Sequence, residues 1–442
     1  MLGDHPFALR LAARTLAQGD TDLMQALYAA PQDIIRALLE QSLTGLSPRS
    51  YEVFLAMGSL YAPQATPELL SELLARPQEE IEDALWHLAQ AGLLSRESRA
   101  GSDTLCFRMH DLTWHAARER RAHLPHHLVS AVTTYAGTHT HNPDLLGTDL
   151  PHLLGAAQTA PPATLTRLMC GWLGGSYIGA RGFPTAALHL LEQATQYAEG
   201  CADWETASLL GGKHADIAQA LLGQNAEAIA RLLRAAVQAG KAGNVVRQAV
   251  QLALAGQMQA AAAQQAGEAD AATRDAAKEE AWEHLRQAQA LARHTDPVTQ
   301  ARVLGQVAIA HAYQKEFVKA RDLLGQARDI LRGALETATG DRAVLGAYLS
   351  VLGNLGQAEK RLGHLREALK LKREMGDLAA EKDERLYQAR AALDQGELLH
   401  ELGQPDEALH QLRFAIELSQ SLGAGKLEGM ARRLLQDIAS AN

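Results

Sequence analysis

The chain has 442 residues, of which only 5% are aromatic, and its formal net charge is −9. This length exceeds what one compact core usually supports, and the acidic balance argues against a general affinity for nucleic-acid phosphates or anionic membranes. The 3 cysteines form no C-x-x-C pair and lack zinc-ligand spacing, which indicates reduced thiols and a cytoplasmic protein.

The N-terminal third has a sequence pattern that changes twice. Residues 1–44 predict two or three short helices, and residues 45–123 predict a winged-helix domain of three helices, a β-hairpin and a closing helix. The hairpin strands are expected within 93–98 and 104–110, and residues 124–165 predict a helical adaptor. The expected starts of the three helices lie at Pro48, Pro67 and Pro77.

A winged helix could contact DNA through its third helix, and that alternative stays open. The predicted third helix is acidic, and no lysine or arginine precedes its end. Its acids are Glu79, Glu80, Glu82 and Asp83. Residues 45–125 together carry a net charge of −3. Because carboxylates are repelled by phosphates, packing against other protein domains is favoured over DNA binding.

One alanine-centred triplet recurs six times in the rest of the chain. Each copy has Ala, then Leu four residues later and Ala seven residues later, except that the fifth reads Ala368, Lys372, Met375. Residues at these spacings share one helix face, and small residues there let a neighbouring helix pack closely. The lead alanines are Ala187, Ala228, Ala281, Ala320, Ala368 and Ala408.

The spacing of the lead alanines, 39 to 53 residues, is typical of a repeated helical hairpin. Because one hairpin cannot bury its apolar face alone, the copies must stack into an α-solenoid, predicted over residues 166–442. The 53-residue spacing before Ala281 leaves room for a lengthened helix pair or a loop around residues 260–277.

The repeats resemble tetratricopeptide repeats (TPRs). Gly175, Gly356 and Gly396 lie 12 residues before their lead alanines, where that family places a small residue in its first helix. The turns at 221–228 and 401–408 are similar to the family's inter-helix turn. The resemblance implies a TPR-like α-solenoid of about six repeats. Together with the winged-helix pattern of residues 45–123, the predicted fold is mainly α, a winged-helix domain followed by this solenoid.

Two motifs in the N-terminal third resemble those of NB-ARC ATPases, a STAND-type family of signal-transduction ATPases. Residues 2–9 are similar to the family's G-G-L-P-L-A-L segment, with Asp4 replacing the second glycine, and residues 109–111 match its M-H-D motif. The resemblance implies that Pro6 packs beside an adenine and that His110 approaches a β-phosphate in a longer parent protein. His110 could instead cap the closing helix.

No G-x-x-x-x-G-K-[ST] phosphate loop occurs in the sequence, and no nucleophile–base set is recognisable. We therefore expect no enzymatic activity, metal or cofactor in this chain, with ATP or ADP bound only by a longer parent. The chain is expected to be the C-terminal part of such an ATPase, or a shortened gene product without the ATPase domain.

The concave-face positions of the TPR family give a candidate partner-binding set on the first helices of the hairpins. The set is Lys213, His214, Arg302, Asn354, Gln357, Lys360, Arg390, Glu397 and His400. Its basic members could grip an acidic tail, and Asn354 stands where some family members clamp a peptide backbone. An ordinary solvated surface is the alternative.

The function expected from the sequence is that of a sensor and regulatory arm of a STAND ATPase. The solenoid would receive a protein or peptide signal, and the winged helix would restrain an ATPase domain in cis. The alternative is a free-standing TPR adaptor or transcription regulator with a DNA-contacting winged helix. No membrane association is expected.

Overall fold

The computed structural model describes residues 34–98, 104–120, 127–139, 142–171, 184–265, 271–337, 341–422 and 424–441. Within these ranges the chain forms 21 α-helices and three short β-strands. It divides into two compact units, Met1–Gly200 and Cys201–Asn442. None of the described helices is both long and apolar enough to cross a lipid bilayer.

The first unit contains ten of the described helices and the three strands. The helices are α1 (Ile34–Thr44), α2 (Pro48–Gly58), α3 (Pro67–Leu74), α4 (Gln78–Gln90), α5 (Asp111–Arg120), α6 (Leu128–Thr138), α7 (Pro143–Thr148), α8 (Leu150–Thr159), α9 (Pro162–Cys170) and α10 (Pro184–Gly200). The strands are β1 (Gln64–Ala65), β2 (Leu94–Ser98) and β3 (Leu105–Met109).

The region from α2 to α5 contains the three predicted helices (α2, α3 and α4), the predicted hairpin (β2 and β3) and the predicted closing helix (α5). Ser47 and Thr66 cap α2 and α3 with their side-chain oxygens, and a proline opens each helix. Strands β2 and β3 pair antiparallel, which confirms the hairpin, and β1 adds a third strand so that the sheet order is β1-β3-β2. Strand β1 was not predicted, because two residues show no alternation of apolar and polar side chains.

A buried polar cluster ties the helices after residue 127 to this sheet. The fully buried Asp149 carboxylate accepts hydrogen bonds from the Thr66 hydroxyl and, at 2.7 Å, from the Tyr135 hydroxyl. His152, also fully buried, hydrogen-bonds through Nε2 to the carbonyl of Gln64 in β1. Because buried polar groups need such partners, the cluster fixes α6 and α8 in one position against β1 and α3.

The second unit consists of eleven described helices. They are α11 (Trp204–Leu222), α12 (Asn225–Lys241), α13 (Val245–Gln265), α14 (Ala271–Ala292), α15 (Pro297–Tyr313), α16 (Phe317–Thr337), α17 (Arg342–Arg361), α18 (Leu365–Glu381), α19 (Arg385–Glu401), α20 (Pro405–Ser421) and α21 (Gly425–Ala441). They form five successive hairpins, α11/α12 to α19/α20, and α21 packs against the last one. The unit is a TPR-like α-solenoid.

Five of the alanine-centred triplets form packing faces of this solenoid. Five triplets lie on the second helices of the five hairpins and the first lies on α10, and in all six every member is at most 3% exposed. A Cβ on Gly396 of α19 would lie 2.7 Å from Leu412 Cγ, so the small residue of the first helix receives the leucine of the triplet. The prediction of a buried, close-packed face is confirmed.

Helix ends and lengths follow the local sequence. Gly223 and Gly403 end α11 and α19 in the left-handed conformation, with φ of 66° and 74°, which glycine adopts without steric cost. Both lie in the two turns that the sequence predicts. The extra residues before Ala281 lengthen α13 and α14 to 21 and 22 residues, in agreement with the lengthened helix pair.

Lys372 replaces the triplet leucine in α18 and is buried there. Its ammonium donates to the carbonyl of Gly353 in α17 at 2.7 Å and forms an ion pair with Asp394 in α19. Burial lowers the pKa of Lys372 below its ordinary value, although the charge of Asp394 opposes that shift. The lysine therefore connects two hairpins through a polar contact where the other repeats have an apolar one.

Candidate functional site: a groove along the first helices of three hairpins

A groove of about 340 Å³ runs along α15, α17 and α19, the first helices of three successive hairpins. Its lining combines small and apolar side chains with a few polar ones. The residues used below are Arg302, Gly305, Arg342, Gly346, Ser350, Asn354 and Tyr387. All of them lie in the second unit, so one compact body forms the whole groove.

Two helix-interior glycines open the floor of the groove. A Cβ on Gly305 would meet only Val351 Cγ2 at 3.8 Å, and a Cβ on Gly346 would meet only the Tyr387 hydroxyl oxygen at 3.8 Å. Both distances are ordinary van der Waals contacts, so alanine would fit at either position. Since glycine inside a helix costs about 1 kcal/mol relative to alanine, these two residues keep space open rather than permit close packing.

Tyr387 is held against the floor by hydrogen bonds to α17. Its hydroxyl donates to the carbonyl of Gly346 at 3.2 Å and lies 3.1 Å from the Ser350 hydroxyl. Because the phenol has one proton, Ser350 then donates to Tyr387. The aromatic ring thus forms a fixed wall that is in place before any partner arrives.

The only charged side chains that line the groove within the described residues are two arginines. Arg302 is exposed, and the Arg342 side chain is 81% exposed, with its Nε 3.5 Å from a Glu384 carboxylate oxygen. Asn354 is half-buried, and its amide forms no hydrogen bond with the described residues. Arg302 therefore offers a guanidinium with no ion pair within the described residues, and Arg342 offers a largely exposed guanidinium that Glu384 partly neutralises. The Asn354 amide can both donate and accept.

Lys360 does not offer a free cation, in contrast to its predicted role. Its ammonium lies 2.8 Å from carboxylate oxygens of both Glu397 and Glu401, and its side chain is only 14% exposed. Burial alone would lower the pKa of Lys360, but the hydrogen bonds to the two glutamates outweigh burial and raise it. Lys360 and the predicted Glu397 therefore form a tie between α17 and α19.

The remaining predicted partner-binding residues are spread over the unit. Gln357, Arg390 and His400 are exposed on α17 and α19 but do not line the groove. Lys213 and His214 lie on α11, two hairpins earlier in the chain. His214 is only 4% exposed, so its placement on an open face was wrong, because that turn of α11 packs inward. Among the predicted set the groove thus brings together Arg302 and Asn354.

The two residues carried over from the NB-ARC resemblance have different outcomes. Pro6 lies outside the described residues. His110 directly precedes α5, and its Nδ1 accepts a hydrogen bond from the backbone N–H of Leu112 at 3.3 Å. This contact satisfies one of the amides at the start of α5, as a helix-capping side chain does.

The acidic helix α4 is paired with arginines of its own unit. Glu80 lies 3.0 Å from Arg49 and 3.9 Å from Arg76, and Arg76 also binds Glu52 at 3.0 Å. Two guanidinium groups beside this helix are therefore engaged by carboxylates, and a third, that of Arg96, lies 5.3 Å from the ring centroid of Trp86. No cluster of His, Cys, Asp or Glu side chains placed to hold a metal ion occurs within the described ranges.

Sequence reasoning missed Arg342, Tyr387 and the two groove glycines. Tyr387 reaches the carbonyl of Gly346 across 41 positions of sequence, and no periodic pattern indicates such a contact. A usable signal was present in Gly305 and Gly346 themselves, since glycine is disfavoured inside a helix unless packing or an open surface requires it.

No protein-family model matches the chain, and no curated protein sequence matches it. Several solved structures are similar to it at low identity. One is a signal transduction ATPase with numerous domains (STAND) protein with a TPR sensor from Pyrococcus horikoshii, at 12% identity and a TM-score of 0.36. The match covers 91% of this chain and 65% of that protein, so this chain spans less than two thirds of its length.

Two further similar structures match about three fifths of this chain over nearly their whole length. A putative kinesin light chain from Podospora anserina with TPR-like repeats is 16% identical with a TM-score of 0.29, and the match covers 59% of this chain and 98% of that one. The apo form of RapI is 12% identical with a TM-score of 0.30, and the match covers 62% and 97%, respectively.

Proposed function

We propose that the solenoid binds an acidic, extended segment of a partner protein in the groove between α15, α17 and α19. The observation that carries this proposal is the combination of an opened floor with a positively charged rim. The chain as a whole is acidic, with a net charge of −9, yet Arg302 and Arg342 supply the charge at the groove. Carboxylates are the natural partners of such guanidinium groups.

The rest of the lining suits a peptide in extended conformation. The free amide of Asn354 can pair with both the N–H and the C=O of a peptide backbone. The ring of Tyr387 provides an apolar wall for small side chains, beside the space that Gly346 leaves open. A groove of about 340 Å³ accommodates a short segment of a few residues rather than a folded domain.

We further propose that residues 45–123 act as a winged helix that restrains an ATPase domain in a longer STAND-type parent. Support comes from the order helix, strand, two helices, hairpin, and from Met109-His110-Asp111 at the junction of β3 and α5. In this scheme the solenoid receives the signal and the chain itself has no catalytic role. ATP or ADP would bind only to the ATPase domain of the parent, and the setting would be the cytoplasm.

The experiment is a selection of random displayed peptides on the full chain, followed by fluorescence polarisation with the selected peptides. We expect enrichment of acidic sequences and a loss of affinity of at least about tenfold in the double variant Arg302→Glu, Arg342→Glu. Raising the salt concentration should weaken binding, because both arginines are solvent-exposed.

The matched control is the double variant Arg321→Glu, Arg328→Glu on α16. It makes the same change in net charge outside the groove, at arginines paired with the neighbouring Asp322 and Asp329. Equal losses of peptide affinity in the two double variants would show that the overall charge of the chain causes the effect. That result would contradict a binding site in the groove. Selection of basic peptides would contradict the proposed chemistry of the partner.

The DNA-contacting alternative is tested separately by a gel-shift titration with duplex DNA at low salt. Because Glu80 and the arginines around it are already paired, we expect no binding beyond the nonspecific level. A salt-sensitive shift that is lost in the double variant Arg118→Glu, Arg120→Glu would favour the alternative hypothesis, a transcription regulator that contacts DNA.

A further inference from the structure

The outer face of α18 carries a line of charged side chains that changes sign halfway along the helix. Arg366, Lys370 and Arg373 are followed by Asp377 and Glu381, and all five are exposed. Their spacings of four, three, four and four residues keep them on one face of the helix. They border an open groove of about 880 Å³, on a different set of helix surfaces from the groove proposed to bind peptides.

The charge order is self-complementary when the helix is paired with an antiparallel copy of itself. A two-fold axis that passes between residues 373 and 374 places Arg366 at the height of the partner's Glu381 and Lys370 at the height of the partner's Asp377. With a rise of about 1.5 Å per residue, these pairs lie about 11 Å and 5 Å from the axis. Each contact occurs twice, as a two-fold interface requires.

The four outer charges of this line form no ion pair within the described residues or only exposed local ones. Arg366 and Asp377 have no ion pair within the described residues, and Lys370 and Glu381 contact only their exposed neighbours Glu367 at 3.6 Å and Lys382 at 2.7 Å. Such exposed local pairs contribute little and can rearrange. Four charges of the line are therefore available to a second molecule.

The residues at the centre of the line have partners of their own. Arg373 lies 3.7 Å from Glu407, and Glu374 accepts a hydrogen bond from the Tyr348 hydroxyl at 2.7 Å. With the axis between residues 373 and 374, Arg373 lies at the height of the partner's Glu374, a residue of opposite charge that lines the same groove. Leu369 and Leu378 line the same groove and add apolar surface beside the charges.

We propose that this face of α18 is the contact of a homodimer, with a second copy of the chain bound antiparallel to α18. A second copy of the chain requires the charges of the line to complement the same charges in reverse order, whereas an unrelated partner imposes no such requirement. Because one helix pair buries less than the roughly 1,200 Å² of a standard stable interface, the dimer is expected to be reversible and salt-sensitive. This inference is independent of the peptide groove.

Sedimentation equilibrium of the full chain tests the proposal. At low salt the wild type should show a monomer–dimer equilibrium, and raising the salt concentration to about 0.5 M should weaken it at least about tenfold. Lys370→Glu places two carboxylates opposite each other, and Asp377→Lys places two ammonium groups opposite each other, so each single variant should weaken the dimer at least about tenfold.

The double variant Lys370→Glu, Asp377→Lys is the decisive test. It restores both ion pairs between residues 370 and 377 of the two copies, with the charges exchanged. We expect it to regain the wild-type dimerisation constant to within about threefold, with a wild-type circular dichroism spectrum in all variants. A monomeric wild type at about 200 µM and low salt would overturn the proposal, because one helix pair should still associate there. A folded double variant that stays as weak as the single variants would also overturn it.

Discussion

Removing Asp394 alone from the Lys372–Asp394 ion pair should destabilise the solenoid far more than replacing both residues. The Lys372 side chain is 4% exposed, so Asp394→Leu leaves a buried ammonium with the carbonyl of Gly353 as its remaining contact. Removing the partner of a buried charge costs about 3–5 kcal/mol, and we expect a loss in this range.

The converse single variant should be milder. The Asp394 side chain is 22% exposed, so water can reach it when Lys372→Leu removes its partner. The new leucine also restores the residue that the other triplets place at this position. We expect a cost of about 1–3 kcal/mol. The double variant, which replaces the pair by two leucines, should lie within about 1 kcal/mol of the wild type or exceed its stability.

Guanidinium unfolding followed by far-UV circular dichroism measures this cycle. The four proteins should give a coupling free energy of about 3 kcal/mol or more between the two positions. In Asp394→Leu the pKa of Lys372 lies below that of the unfolded chain, so stability should rise as pH increases towards about 10.5. Additive effects, with the double variant as unstable as the sum of the single ones, would refute the reasoning.

Two further predictions concern single side chains. Burial lowers the pKa of His152 although Asp149 opposes the shift, so the unfolded chain binds a proton first and the first unit should lose stability as pH falls below about 6.5. In thermal unfolding, the His152→Asn variant should lose less stability than the wild type as pH falls. Equal dependence of the unfolding temperature on pH in the two proteins would contradict this. Gly396→Ala, with its Cβ 2.7 Å from Leu412, should cost about 1–3 kcal/mol. Gly333→Ala, with nothing within 4 Å, should gain up to about 1 kcal/mol, and calorimetry showing the same sign for both would contradict the packing account.

The sequence was most informative where a local repeat determines the structure. The triplets, the small residue of Gly396 and the turns at Gly223 and Gly403 are short-range patterns, and a helical hairpin is itself short-range. The predicted hairpin at β2 and β3 follows from the same kind of local signal. These features needed no knowledge of how distant residues pack.

The candidate site was predicted less completely because it depends on contacts between repeats. Lys360 was chosen as a partner-binding cation, yet its carboxylate partners come from the next hairpin. Tyr387 likewise reaches Gly346 from the next hairpin. His214 was assigned to an open face from family positions alone, and its burial depends on how α11 packs against the following helices.

Under the proposed function, a partner segment occupies the groove floor at Gly346. The most direct measurement is the affinity of a selected acidic peptide for Gly346→Phe, compared with Gly333→Phe on α16. Both changes introduce the same side chain inside a helix, but only the first fills a groove of about 340 Å³. We predict a loss of at least about tenfold for Gly346→Phe and an unchanged affinity for Gly333→Phe. Wild-type affinity in a folded Gly346→Phe variant would contradict the account.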